Sequence, residues 1–148
     1  MPNLRVDIVT AERVVFSEED VDLLVVPGIE GELGVLPLHA PLLTMIQPGV
    51  LRVVKGEEET TMAITGGFIE VRENQVTILA DAAERGEEID VARVEAARRR
   101  AEERLASREA TVDIVKAEMA LKRALVRLRA AEQVERRRRG RGAPPPAG

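Results

Sequence analysis

The apolar pattern of this chain changes period once, at Gly86, and that change constrains the fold more than any other feature. Before it, apolar and polar residues alternate. In LRVDIVT, residues 4–10, Leu4, Val6 and Ile8 fall on one side of an extended chain, with Arg5 and Asp7 on the other. Short runs of the same kind follow at VDLLVV, GVLRVV, TTMAIT, GFIEV and QVTILA. They are separated by turn-forming residues: Pro27-Gly28, Gly31, Gly34, Pro37, Pro48-Gly49, Gly56, Gly66-Gly67 and Glu73-Asn74. Many short strands with this punctuation predict an all-β sandwich or flattened barrel of about ten strands over residues 1–86.

After Gly86 the residues are those of helices. Stretches 89–106 and 112–135 are rich in Ala, Arg, Glu and Leu. Ile89 precedes Asp90 and Val94 follows it by four residues, the arrangement of an N-cap with a hydrophobic staple. In the second stretch Ile114, Ala117, Leu121, Leu125 and Leu128 form one apolar stripe. SREAT leaves room only for a tight connection, so residues 87–135 are expected to form an antiparallel two-helix hairpin turning near 109–111. Its many alanines bury little area each. Such a hairpin is weakly held by its own packing and needs the β-domain, another subunit or a ligand. The tail, residues 136–148, combines an arginine run with three consecutive prolines and is expected to be disordered.

Charge divides at the same place. Residues 1–86 carry 6 Arg and Lys against 15 Asp and Glu, a net −9; residues 87–148 carry 16 against 11, a net +5. Two parts with different partners follow from that split. Only Phe16 and Phe68 are aromatic, too few for stacking platforms that read single-stranded nucleic acid. The absence of cysteine excludes disulfides and thiolate metal sites and fits a reducing compartment. No apolar run approaches the ~20 residues of a membrane helix, and the opening residues lack the apolar centre of a secretory leader. The expectation is a soluble, intracellular protein.

His39 is the only histidine, in EGELGVLPLHAPLLTMIQPGV. Glu30 and Glu32 are its nearby carboxylates, but there is no cysteine nucleophile, no GxSxG and no second histidine for a metal. A structural or interface role fits it better than catalysis. Gly28, Gly31 and Gly34 open no helix and precede no Gly-Lys-Ser/Thr, so they read as turn glycines rather than a phosphate loop. The hairpin arginines say more. Asp90, Arg93 and Arg100 share one face of the first helix, and Arg123 and Arg127 are i, i+4 on the second. In an antiparallel hairpin Arg93 falls opposite Arg127, and Arg100 near Arg123. That is either a solvated charged face or an anion site, because a polyphosphate relieves converging like charges and accepts forked hydrogen bonds.

EGELGVLPLHAPLLTMIQPGVLRV, TGGFIEV, VTILADAAERGEEID and AEMALKRALVRLRAAE closely resemble, in order, the epsilon subunit of bacterial F-type ATP synthase. The likeness runs from residue 3 to about 135. It implies a non-catalytic rotor subunit whose sandwich packs on the gamma subunit and rests on the c-subunit ring, and whose hairpin reaches into the alpha/beta catalytic head to block ATP hydrolysis. It implies a place on the cytoplasmic face of the bacterial plasma membrane, peripheral and within a proton-translocating complex. Glu32 matches the carboxylate facing the c ring, with His39 in the same rim. No cofactor is required, but some family members bind ATP in the folded hairpin. The matching residues here are Glu84, Ile89, Asp90, Arg93, Arg100, Arg123 and Arg127, with Val94 where the family has alanine. Two rival readings stand beside this one: a nucleic-acid-binding module using the arginine-rich half, and a small enzyme centred on His39.

Overall fold

The computed structural model describes residues 2–107 and 113–142. The turn expected near 109–111 and residues 143–148 of the tail lie outside that range. Among the described residues, ten strands form one sheet folded over on itself: β1 (Leu4–Val9), β2 (Val14–Val21), β3 (Leu23–Gly28), β4 (Gly31–Val35), β5 (Leu42–Ile46), β6 (Gly49–Lys55), β7 (Glu58–Ile64), β8 (Gly67–Arg72), β9 (Gln75–Ala80) and β10 (Ala83–Arg85). The order across the sheet is β10-β7-β6-β3-β5-β8-β9-β1-β2, with β4 paired to β3. The fold between the two layers falls at β3 and β5, which share the single pair Gly28–Ile46. Every pairing is antiparallel except β1 with β9. Lys55 at the end of β6 reaches across to Glu18 of β2, Nζ to Oε1 2.6 Å, and ties the layers together.

Alternation is visible in the burial. Leu4, Val6 and Ile8 of β1 are fully buried and meet Leu24, Leu51, Met62, Ile64, Ile69 and Ile78 in the main core. The turn between β8 and β9 places Glu73 and Asn74 at φ of 50° and 63°, the left-handed pair of a tight hairpin. Several glycines read as punctuation lie inside strands instead. Gly67 begins β8, where φ is 134° and an added Cβ would fall 2.0 Å from the Leu79 carbonyl oxygen. No other residue fits there.

β7 breaks the alternation: Thr61, Met62, Ala63 and Ile64 are all buried. Met62 and Ile64 face the sandwich core. Ala63 faces the other way, into a second small core with Ile89, Val94, Ala124, Val126 and Ala130. The helical hairpin covers that outer surface.

A short 3-10 turn (Gly86–Glu88) leads from β10 into α1 (Val91–Ala106). Asp90 caps α1 by accepting from the Arg93 backbone N–H at 3.2 Å, and Ile89 and Val94 are both buried behind it. α2 (Ile114–Gly142) begins at a second cap, Asp113, which accepts from the Lys116 N–H at 3.1 Å. Two expectations are corrected here. The second helix does not stop at 135: residues 136–142, expected to be disordered, continue α2. Glu132–Arg136 and Glu135–Arg139 pairs at i, i+4 offset the arginine self-repulsion, and Arg137 is tied to β7. The apolar stripe is also different. Ala117 is buried and Leu121 and Leu128 half-buried, but Ile114 and Leu125 are 58% and 42% exposed. α2 serves two neighbours rather than one, so its buried residues, Ala117, Ala124, Val126 and Ala130, form a wider face.

Candidate functional site

Where the hairpin meets the sandwich edge there is a groove of about 520 Å3. Its floor is made of small residues, Ala63, Ala97, Ala120 and Ala124, because long side chains would close the gap between helix and strand. Its rim is charged. Arg123 and Arg127 come from α2, Glu84 from β10, and Arg13 from the turn joining β1 and β2. Arg127 forks onto Glu84, Nε to Oε2 at 2.7 Å and an Nη to Oε1 at 3.1 Å. Both side chains are about one-third exposed, so water weakens the pair without abolishing it. Arg123 is exposed and makes no ion pair within 4 Å among the described residues.

The expected residues divide into two groups. Glu84, Arg123 and Arg127 line this groove together. Arg93 and Arg100 are exposed on α1, four residues before and three after the groove-lining Ala97, so helical periodicity sets them on the same side. Ile89 and Asp90 do not line it. Ile89 is in the small core and Asp90 is occupied in capping α1. The carboxylate facing the groove arginines is therefore Glu84, not Asp90. Val94 is fully buried in the small core and is absent from the groove wall. Arg13 was missed. It lies in a tight turn more than a hundred residues from α2, and nothing in AER announces its destination.

Glu32 and His39 lie towards opposite ends of β4. Glu32 is exposed near the β3–β4 turn, in a cleft shared with Gln47, Arg52, Arg129 and Gln133. His39 is half-buried beyond the other end. Its Nδ1 is 2.7 Å from the Ala40 carbonyl oxygen and its backbone N–H donates to Leu36. The same loop is anchored by the Leu38 N–H, which donates to Asn74 Oδ1 at 2.7 Å. No side-chain hydrogen bond joins His39 to a carboxylate or hydroxyl, and no metal-ligand cluster occurs, among the described residues.

A second surface escaped the sequence reading. Met45, Phe68 and Leu79 are paired across β5, β8 and β9 on the outer face, 51%, 49% and 57% exposed, with Leu43 beside them at 70%. The signal was present in apolar residues at both alternating positions of LLTMI and GFI. A strand buried on one face has no need of them.

The family model for the ATP synthase delta/epsilon chain beta-sandwich domain matches residues 3–86, and that for the delta/epsilon long alpha-helix domain matches 87–132. The chain belongs to the ATP synthase epsilon family. It is 64% identical over 129 residues to the ATP synthase epsilon chain of Pelotomaculum thermopropionicum, covering 87% of this chain and 96% of that one. It is 52% identical over 128 residues to the epsilon chain of Desulforamulus reducens, covering 86% and 96%. A chain of the Euglena gracilis mitochondrial ATP synthase, solved with OSCP, F1 and c-ring, superposes with a TM-score of 0.76 at 28% identity, covering 88% of this chain and 82% of that one. An epsilon chain is a non-catalytic subunit of the synthase and part of its central stalk. No helix among the described residues is long and apolar enough to cross a membrane.

Proposed function

We propose that this epsilon chain couples the rotor of a proton-translocating ATP synthase to its catalytic head and regulates ATP hydrolysis through the α1–α2 hairpin, with ATP favouring the folded form. The sandwich docks on the gamma subunit and the c-subunit ring, and the hairpin, when released, meets the alpha/beta head. The complex sits on the cytoplasmic face of the plasma membrane, with this chain peripheral. The observation carrying the reading is the Arg127–Glu84 fork beside the unpaired Arg123, at the seam a moving hairpin must open. A polyphosphate there takes over charge from guanidiniums of both helices and of the β1–β2 turn. It binds only the closed form and so stabilises it by mass action. The Met45–Phe68–Leu79 row and the exposed Glu32 supply apolar and acidic surface for the stalk partners.

The nucleic-acid reading loses ground on one point. Arg136, Arg137 and Arg139 are already paired with this chain's own glutamates. Calorimetric titration of the isolated chain with ATP at moderate salt, beside an Arg93→Ala/Arg127→Ala variant, tests the proposal. Saturable binding lost in the variant supports it. No binding by the unaltered chain removes ATP from the mechanism and leaves the rotor role standing.

A further inference from the structure

The helical family match ends at residue 132, but α2 does not. On α2 the positions 123, 127, 130, 134 and 137 alternate spacings of four and three, so they share one face. Arg123 and Arg127 border the groove, Ala130 is fully buried, and Val134 is half-buried against the sandwich. Arg137 ends the series about 15 Å along the helix from Arg127. Its neighbours in the arginine run, Arg136 and Arg139, have side chains 72% and 78% exposed; that of Arg137 is 26% exposed. One of its Nη groups donates to the Glu59 carbonyl oxygen at 2.7 Å and lies 2.8 Å from the Glu59 carboxylate. The other donates to the Thr61 hydroxyl. Thr61 is 3% exposed and is the one buried polar residue among those described. Glu59 is braced from its own sheet by Arg52 at 2.9 Å, so the acceptor is held in place before the helix arrives.

We infer that the arginine-rich end of α2 is a clasp: Arg137, seated on Glu59 and Thr61 of β7, holds the hairpin folded on the sandwich independently of the groove. This rests on the reading of the hairpin as a movable arm, but not on ATP as its ligand. The two attachments are separate in chemistry. An anion entering the groove competes for Arg127, whereas Arg137 is outside the groove lining and keeps its partners whether the groove is filled or empty. The folded form is thereby favoured even without ligand.

The test is amide hydrogen exchange on the full-length, nucleotide-free chain and on Arg137→Gln, which keeps a polar side chain but loses the charged fork. Under conditions where exchange reports the opening equilibrium, rates read undocking even when the open form is scarce. The clasp predicts roughly tenfold faster exchange throughout the hairpin, in residues 94–105 of α1 as well as 117–131 of α2, the effect expected from losing charged hydrogen bonds to a part-buried partner. Glu59→Gln, which alters the opposite side of the contact, gives an acceleration in the same residues. Sandwich amides in β1, β8 and β9 stay unchanged in both variants. Acceleration confined to residues beyond about 133 overturns the inference, because Arg137 then only prevents fraying of the helix end. Unchanged exchange in both variants overturns it as well. Since no nucleotide is present, neither result depends on whether ATP binds the groove.

Discussion

Val94 is the position at which two accounts of the hairpin predict opposite outcomes. The family pattern has alanine there. If valine narrowed the groove, Val94→Ala would improve anion binding. The structure instead buries Val94 completely among Ala63, Ile89, Ala124, Val126 and Ala130, behind the groove floor that Ala63 and Ala124 form rather than on its surface. Removing its two methyls forfeits about 1.6 kcal/mol at roughly 0.8 kcal/mol per buried carbon. The neighbours are mostly alanines, too short to collapse into the space, and Ala63 is fixed in a strand. The residual cavity raises the expected loss to about 2 kcal/mol. The chain has neither Trp nor Tyr, so helical ellipticity at 222 nm is the natural probe of the hairpin in a urea titration. With a denaturant slope of about 1 kcal/mol/M for so small a unit, the hairpin transition moves down by roughly 2 M. On the proposed reading of the groove as an ATP site, ATP affinity of the same variant stays equal or falls, because a looser seam lowers the population that binds. An unchanged transition together with tenfold tighter ATP binding would refute the placement of Val94 in the seam.

Other expectations follow from single contacts. Glu84→Ala leaves Arg127 without its partner at a one-third exposed site; a loss of about 1 kcal/mol or less is expected in hairpin stability, shrinking as salt is raised. Gly86→Ala puts a methyl 2.8 Å from Val134 Cγ2 and 3.0 Å from the Ala130 carbonyl oxygen. Overpacking of about 1–3 kcal/mol should appear in the hairpin transition and leave the sandwich transition in place. The Ser17 hydroxyl holds the Asp7 carboxyl below the ordinary aspartate range; burial opposes it as the next influence, and the Gln75 amide and Arg5 add to the lowering. A carboxyl lowered in the folded state stabilises fully above its unfolded value, near pH 4, and that contribution fades as pH falls through the folded value. Asp7→Asn should therefore flatten the acid limb of a stability–pH curve below about pH 4, measured by urea midpoints. Phe68→Ser, on the half-exposed outer row, should change the stability of the isolated chain by under about 0.5 kcal/mol while weakening assembly with the other stalk subunits in a pull-down.

Local signals carried the broad architecture. The period-two runs, the change at Gly86 and the Asp90 cap with its Ile89–Val94 staple depend on neighbours a few residues apart, and each appears in the structure. What a window of sequence could not register was contact at a distance. The tail looked disordered because arginine runs repel and prolines follow, yet Arg137 finds Glu59 and Thr61 some 76 to 78 positions away and α2 persists to Gly142. Ile114 and Leu125 looked interior because they continue a helical stripe, but the hairpin leaves them in water. The groove was half legible. Helix spacing grouped the arginines, and the family likeness added Glu84, but the arrival of Arg13 depends on how the sandwich folds. The outer residues of β7 were a signal that went unused. Thr61 and Ala63 occupy the face where a solvated strand would carry charge.

Those two residues also decide what the sandwich looks like when the hairpin is away. β7 is a wall shared by two cores, but the wall is unequal, with methionine and isoleucine on one side and a threonine and an alanine on the other. Departure of the helices would bare Thr61 and Ala63 with Val50 beside them, a narrow strip less apolar than the sandwich core, so the uncovered sandwich would offer a stray chain little to adhere to. If the hairpin is the movable arm proposed above, it leaves and returns repeatedly without fouling the surface it leaves behind.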